Sequence, residues 1–359
     1  MKCAFVASYF GPYYSNFVAS MIAFEKKMNK NGDTVFYIFP EETKEFDWIN
    51  ILKEYNSNIY FLNYNPRSFQ NLRALRKIFK KEKVDVIYSH MCGWDFTSRF
   101  ASPFKPVVWH MHMNVNVDDK IKRIKNWLKF NILGFGRTYH IAAAGLVAKA
   151  VNLLKPRNKC VAIYNALDFS RLRISSTKES NECKKILLFG WEPIVKGLDI
   201  ALDACEKLVE EGKKIKLQVS SQEKTYKYID QRYETLPEWL ELIGPTNDVS
   251  VLYNNADIML SASRSEGFSY ALAEAIYSGL VTVASDIAGT AWSKEFDGRF
   301  EFISGDCDSL KFALLNALGY TISADEQNKN REKFKQKYSI DIWADSVYNE
   351  LKLIYNKQK

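Results

Sequence analysis

The stretch Ala256–Asp286, "ADIMLSASRSEGFSYALAEAIYSGLVTVASD", constrains the fold more than any other part of the chain. Asp257 to Ser263 reads as a short apolar strand. A loop with Arg264, Glu266 and Gly267 follows, then a helix from about Ser269 to Tyr277 that Gly279 closes, and Val281 to Ala284 form a second buried strand. Such a strand, glycine loop and helix start together leave free backbone N–H groups where an anionic ligand can sit. The beginning of the chain repeats the order. "CAFVAS" reads as a buried strand, "YFGPYYSN" as a loop, "FVASMIAFEKKMNKNG" as an amphipathic helix and "TVFYIFP" as a second strand. That is the opening of a doubly wound α/β domain.

Glu266 lies in the loop and Glu274 on the helix, eight positions further on. Eight helical residues rise roughly 12 Å, which suits a ligand with hydroxyls at both ends and negative charge between them, such as a nucleotide-sugar. The competing reading is two solvated glutamates, one of them favouring the helix N-terminus. A glutamate, seven residues and a second glutamate, set in "SRSEGFSYALAEAIYSGLVTVASD", resembles the signature of retaining glycosyltransferases of family 4, which have the GT-B fold. The resemblance implies that Glu266, with the backbone of Gly267, Phe268 and Ser269, contacts the donor sugar and that Glu274 binds the ribose.

The chain has 359 residues, 47% hydrophobic and 26% charged, which fits two globular domains. No apolar run reaches the roughly 18 to 20 residues that span a bilayer, and "MKCAFVASYFGPYYSN" makes a poor secretory signal. Six cysteines stand singly, without zinc or disulfide spacing, which points to reduced thiols in a cytoplasm. Charge divides unevenly. Residues 1–168 hold 25 Lys and Arg against 13 Asp and Glu, a net of +12; residues 169–359 hold 25 against 29, a net of −4. The basic half calls for an anionic partner. No nucleic-acid module is present, which leaves an anionic membrane surface or a lipid-pyrophosphate acceptor.

Within that half, Gly11 could let a phosphate approach the backbone, the competing reading being a simple turn. "SFQNLRALRKIFKKEK" reads as a basic helix, either a solvated face or one that meets anionic lipid. "VDVIYSH" and "PVVWHMH" read as strands ending in His90 and His112, and residues just beyond the carboxyl ends of parallel strands face the ligand crevice. The second strand resembles the family's strand ending in a histidine that helps position the donor sugar, which implies His112; a packing role for His110 or His112 stays open. "DKIKRIKNWLKFNILGFGR" interleaves Lys120, Lys122, Arg123, Lys125 and Lys129 with apolar and aromatic residues, a pattern shared by interfacial membrane helices and core-packed surface helices. "CVAIYNALD" is similar to the family's strand near the domain junction, with Asn165 and Asp168 as turn residues.

Polar, aperiodic "FSRLRISSTKESNECK" reads as an interdomain linker. "KILLFGWEPIVKGLDIALDACEKLVEEG" resembles the family's strand and loop that clamp the donor pyrophosphate. Lys196-Gly197 matches, while Trp191 stands where the family usually has arginine, a loss for which Arg264 is the candidate replacement. Asp306 and Asp308 have a spacing used by metal-dependent sugar transferases of another fold, but they precede an apolar helix and read as caps, so no metal site is expected.

The organisation expected is therefore GT-B. It comprises an acceptor-side Rossmann-like domain over 1–168, a linker over 169–184, a nucleotide-sugar-binding Rossmann-like domain over 185–338, and a helix over 339–359 returning to the first domain. The resemblance implies two facing domains with the active site in the cleft between them. It implies a catalytic group of Glu266, His112 and Lys196, and donor contacts at Gly11, Lys196, Arg264, Glu266, Gly267, Phe268, Ser269 and Glu274. It also implies transfer with retention from a nucleotide-sugar, without metal or other cofactor, to a carbohydrate or polyprenyl-pyrophosphate-linked acceptor in bacterial surface polysaccharide assembly. The setting is cytoplasmic, with peripheral attachment to the inner face of the cell membrane. A non-catalytic GT-B partner subunit and a GT-B sugar-nucleotide epimerase stay open beside it.

Overall fold

A computed structural model describes residues 1–56, 58–174, 182–246 and 248–357. It divides into two compact units, Met1–Asp168 with Tyr338–Lys359, and Phe169–Lys337. Of the expected linker, residues 175–181 lie outside the described residues.

In the first unit the strands are β1 (Lys2–Ala7), β2 (Thr34–Pro40), β3 (Ile59–Leu62), β4 (Val86–His90), β5 (Val107–Met111), β6 (Thr138–Ala142) and β7 (Val161–Ala162). They pair in parallel in the order β3-β2-β1-β4-β5-β6-β7. Alternation along β1 shows why both faces must be covered. Cys3, Phe5 and Ala7 enter one core, with the helix Asn16–Lys30, and Ala4 and Val6 enter the other, with the helix Phe69–Lys81. The chain's last helix, Ile340–Asn356, buries Trp343, Val347, Leu351 and Ile354 in the first of these cores. It is pinned there by Asp33, whose Oδ2 accepts from the Tyr348 hydroxyl at 2.7 Å and from Lys352 at 2.6 Å.

In the second unit β8 (Lys184–Phe189), β9 (Ile215–Ser220), β10 (Leu240–Ile243), β11 (Ile258–Ser261), β12 (Val281–Ser285) and β13 (Arg299–Phe302) run parallel in the order β10-β9-β8-β11-β12-β13. Both units are Rossmann-like, as expected from the alternation of apolar strands with amphipathic helices. The central stretch resolves as strand Ile258–Ser261, helix Tyr270–Ser278 and strand Val281–Ser285. Gly279 ends the helix at φ 86°, a left-handed conformation that side chains disfavour. Asp306 caps its helix through the Ser309 N–H, and Asp308 pairs with Lys207.

Gly197 fixes how the loop after β8 meets the loop after β11. It has φ 70°, and a Cβ there would lie 2.1 Å from the Ala262 carbonyl oxygen. Two strains therefore act on any replacement. We expect Gly197→Ala to lower unfolding free energy by about 1–3 kcal/mol or more, read from denaturant midpoints; an unchanged midpoint would refute this account of the glycine.

Candidate active site

The loop after β8 and the loop after β11 close around a pocket of about 150 Å³ in the second unit, lined among others by Trp191, Lys196, Glu266, Phe268 and Ser269. Parallel strands end here, so the side chains and helix starts beyond their carboxyl ends converge. Lys196 lies 2.5 Å from Glu266 Oε1, which also accepts from the Ser263 hydroxyl at 2.9 Å. The same ammonium sits 4.7 Å from the centroid of the Trp191 ring. Lys196 is thus held between a carboxylate and an aromatic face, both of which favour a cation.

Arg264 sits elsewhere. Its guanidinium makes a two-pronged pair with Asp199 at 2.7 Å for each bond, and its backbone N–H donates to Val195. That pairing ties the two loops together from the side, and Arg264 is not among the pocket-lining residues. The structure therefore gives no support to Arg264 as a substitute for the arginine that Trp191 displaces. A bidentate pair of this kind is strong and geometrically specific, so it does not release a guanidinium cheaply.

Phe268 stacks on Trp292 at 4.7 Å and is buried, so its ring is committed to packing and only its backbone can serve a ligand. Ser269 precedes the helix Tyr270–Ser278 in extended conformation without a side-chain cap bond, and Gly267 is buried beside it. Glu274, further along the same helix, is engaged in a buried pair. Its Oε2 accepts from the Tyr253 hydroxyl at 2.7 Å, and Oε1 lies 3.4 Å from Arg171. Arg171 falls in the stretch expected to be linker. It reaches Glu274 because Phe169, two residues earlier, stacks on Tyr277 of the same helix at 4.4 Å. Neither Arg171 nor Tyr253 carries a local sequence signal; their contacts with Glu274 span 103 and 21 residues and exist only in the fold.

In the first unit Gly11 has a packing reason of its own. Its carbonyl accepts from the Trp48 indole at 2.9 Å, and a Cβ would collide with the Tyr9 ring. His112 follows the last residue of β5, as its sequence position implies, but it is not alone. His90, at the end of β4, and His110, on β5, bring their ring nitrogens within 4.8 Å of those of His112. His90 Nδ1 and His112 Nε2 are 2.9 Å apart, and the Tyr88 hydroxyl lies 2.6 Å from His110 Nδ1. The His110 and His112 rings stack at 4.3 Å and 23°, those of His90 and His112 at 5.2 Å and 30°. His110 thus lies over the face of His112, whereas the 2.9 Å nitrogen contact joins His90 and His112 edge to edge.

Burial lowers the His112 imidazole to about 4 and holds His90 and His110 well below their ordinary value, with the neighbouring imidazoles adding to the effect for these two. The rings are neutral at pH 7.

Comparisons with known proteins bear on the family and the fold. Residues 20–171 match the family model for Glycosyltransferase Family 4, and residues 183–319 match that for glycosyl transferases group 1. The chain belongs to the family 4-like GT-B glycosyltransferases. Solved structures share its fold over nearly the whole length. A glycosyltransferase from Rickettsia africae ESF-5 is 16% identical with TM-score 0.76, covering 98% of each chain. Anabaena Alr3699/HepE in complex with UDP is 15% identical with TM-score 0.79, covering 98% of this chain and 100% of that one. The sucrose-phosphate synthase of Thermosynechococcus elongatus is 12% identical with TM-score 0.79, covering 99% and 100%. A comparison with curated proteins finds no match.

The buried histidines make stability depend on pH with a definite sign. Their folded values lie below the unfolded value of about 6.5, so between pH 6.5 and 4 the unfolded chain takes up protons that the folded chain refuses. Stability should fall on acidification by up to about 1.4 kcal/mol per pH unit for each histidine. We expect His110→Phe to flatten this slope in denaturant titrations from pH 7 to 4.5; an equally steep slope would show that His110 does not contribute.

Proposed function

We propose that the protein is a retaining glycosyltransferase that moves a sugar from a nucleotide-sugar to an acceptor hydroxyl. The observation that carries this is the Lys196–Glu266 pair beside Trp191, at the mouth of a pocket that also meets the start of the helix Tyr270–Ser278. A lysine and free helix N–H groups stabilise the departing diphosphate; Glu266, with the backbone of Gly267, Phe268 and Ser269, orients sugar hydroxyls. Glu274 serves the ribose. Gly11 and His112 are contributions of the N-terminal unit to the donor, His112 by holding the sugar. The charge of the diphosphate is met in this scheme by Lys196 and backbone dipoles without a metal. Support for a nucleotide-sugar comes from Anabaena HepE, which has the same fold and was solved with UDP-glucose.

The test is a thermal-shift panel of nucleoside diphosphates and their sugars. A ligand that binds the folded state raises apparent stability by mass action. We expect one nucleotide-sugar to stabilise the wild type and to lose the increment due to its sugar in Glu266→Ala. Glu274→Gln, which keeps the side chain's size, should weaken the nucleotide itself by about tenfold, or 1.4 kcal/mol. Silence across the panel would overturn the reading and favour a non-catalytic GT-B partner, for which Trp191 in the place of arginine is the supporting observation.

For the acceptor we infer a carbohydrate or polyprenyl-pyrophosphate-linked sugar, met at the cytoplasmic face of an anionic membrane during surface polysaccharide assembly. No helix among the described residues is long and apolar enough to cross a membrane. The helix Lys120–Leu128, by contrast, buries none of its residues: Ile121, Ile124 and Trp127 are exposed beside Lys122 and Lys125. A core-packed surface helix would have hidden that apolar stripe, so the structure favours the interfacial alternative. Lys122→Glu with Lys125→Glu should reduce sedimentation with anionic liposomes several-fold and leave thermal stability unchanged; equal partitioning would leave the helix as ordinary surface.

A further inference from the structure

Among the described residues, the imidazole nitrogens buried without a partner include Nε2 of His90 and Nε2 of His110, and both of these side chains are fully buried. Each neutral ring has one proton to place. A buried N–H without an acceptor is rarer in proteins than a buried lone pair without a donor. The proton of each ring therefore belongs on Nδ1, where a partner exists.

For His90 this choice has a consequence one residue away. Its Nδ1 lies 2.9 Å from His112 Nε2. With the proton on His90 Nδ1, His90 donates and His112 Nε2 accepts. A neutral His112 must then carry its own proton on Nδ1, the nitrogen that meets no partner among the described residues. The opposite arrangement, His112 donating to His90, would strand an N–H at His90 Nε2 in the core.

Neither ring is free to turn over. Phe5 stacks on His90 at 4.3 Å and 14°, His110 stacks on the other ring at 4.3 Å, and Phe17 meets both His90 and His112 edge-on. We propose that His90 is a positioning residue that fixes His112 as its Nδ1–H tautomer, so that His112 offers a neutral, oriented hydrogen-bond donor to an oxygen of the donor sugar. This rests on the glycosyltransferase reading of His112. It deepens that reading in two ways. His112 acts as a donor and not as a general base. The sugar must also bring a lone pair, a hydroxyl or carboxyl oxygen, to the contacted carbon, so a deoxy analogue at that carbon is selected against.

The chain has four histidines, so ¹⁵N-histidine labelling gives a spectrum in which single substitutions assign every ring. Tautomers are read from the ring ¹⁵N shifts and long-range ¹H–¹⁵N couplings at pH 7, with no sugar present. The expected result is His112 protonated on Nδ1 in the wild type. In His90→Phe, which keeps an aromatic ring against Phe5, His112 should shift to Nε2–H or to a mixture. His90→Asn, whose amide nitrogen falls near the place of Nδ1, should restore Nδ1–H. An Nε2–H tautomer in the wild type, or an unchanged one in His90→Phe, would overturn the proposal. If His90→Phe does not fold, the wild-type spectrum alone decides. A second arm titrates the nucleotide-sugar that stabilises the protein in the thermal panel, beside its deoxy analogues. Perturbation of the His112 Nδ1–H by the sugar and not by the bare nucleoside diphosphate is expected, and an unmoved signal on saturation overturns the contact. A panel with no hit while the tautomer stands would reject the transferase reading and not the tautomer.

Discussion

The close approach of Gly197 to the Ala262 carbonyl is the contact on which the candidate site depends. Only a residue without a side chain, in a left-handed conformation, lets the turn after β8 settle on the loop after β11. That seating carries Lys196 to Glu266 and Arg264 to Asp199. The Lys-Gly pair of the sequence is thus two devices in adjacent positions: the glycine places the turn and the lysine supplies the charge. Neither would serve without the other, since a lysine on a displaced turn would meet water and not the carboxylate.

The fold was legible because its signal is periodic and local. Apolar runs such as "CAFVAS" and "TVFYIFP" can only be strands covered on both faces, and the caps at Gly279 and Asp306 act within a few residues of where they stand. Lys196 and Glu266 were legible through motif, and the structure brings them together. What escaped was produced by long-range contact. Arg171 read as linker because its neighbours are polar, yet Phe169 anchors it beneath the helix of Glu274. Arg264 read as a candidate replacement for the arginine that Trp191 displaces, and nothing in the sequence points to its pairing with Asp199, 65 positions away. A packing role for His110 was open in the sequence, but its contact with His90 arises from pairing between β4 and β5, where His90 lies opposite His110.

The two units treat charge in opposite ways. The second unit keeps its site ionic: a cation, a carboxylate and an aromatic face within contact distance. At the ends of β4 and β5 the first unit removes charge instead, because desolvation makes a protonated imidazole too costly among Phe5, Phe17 and Tyr88. A neutral polar group in such surroundings retains direction without attracting counter-ions, which suits recognition of an uncharged sugar more than of a phosphate.

The ion pair of Lys196 with Glu266 also bears on turnover. The lysine has an anionic partner within the protein itself, so its charge is compensated. On the proposed function, an arriving diphosphate would have to take the lysine from the carboxylate and a departing one would leave it a partner to return to, which would make Glu266 a resident competitor of the leaving group. On the same reading, with Trp191 offering a polarisable face in place of a second fixed cation, a spent nucleotide would meet at this spot a lysine with an internal claimant. Such a pocket would trade grip on its product for ease of release.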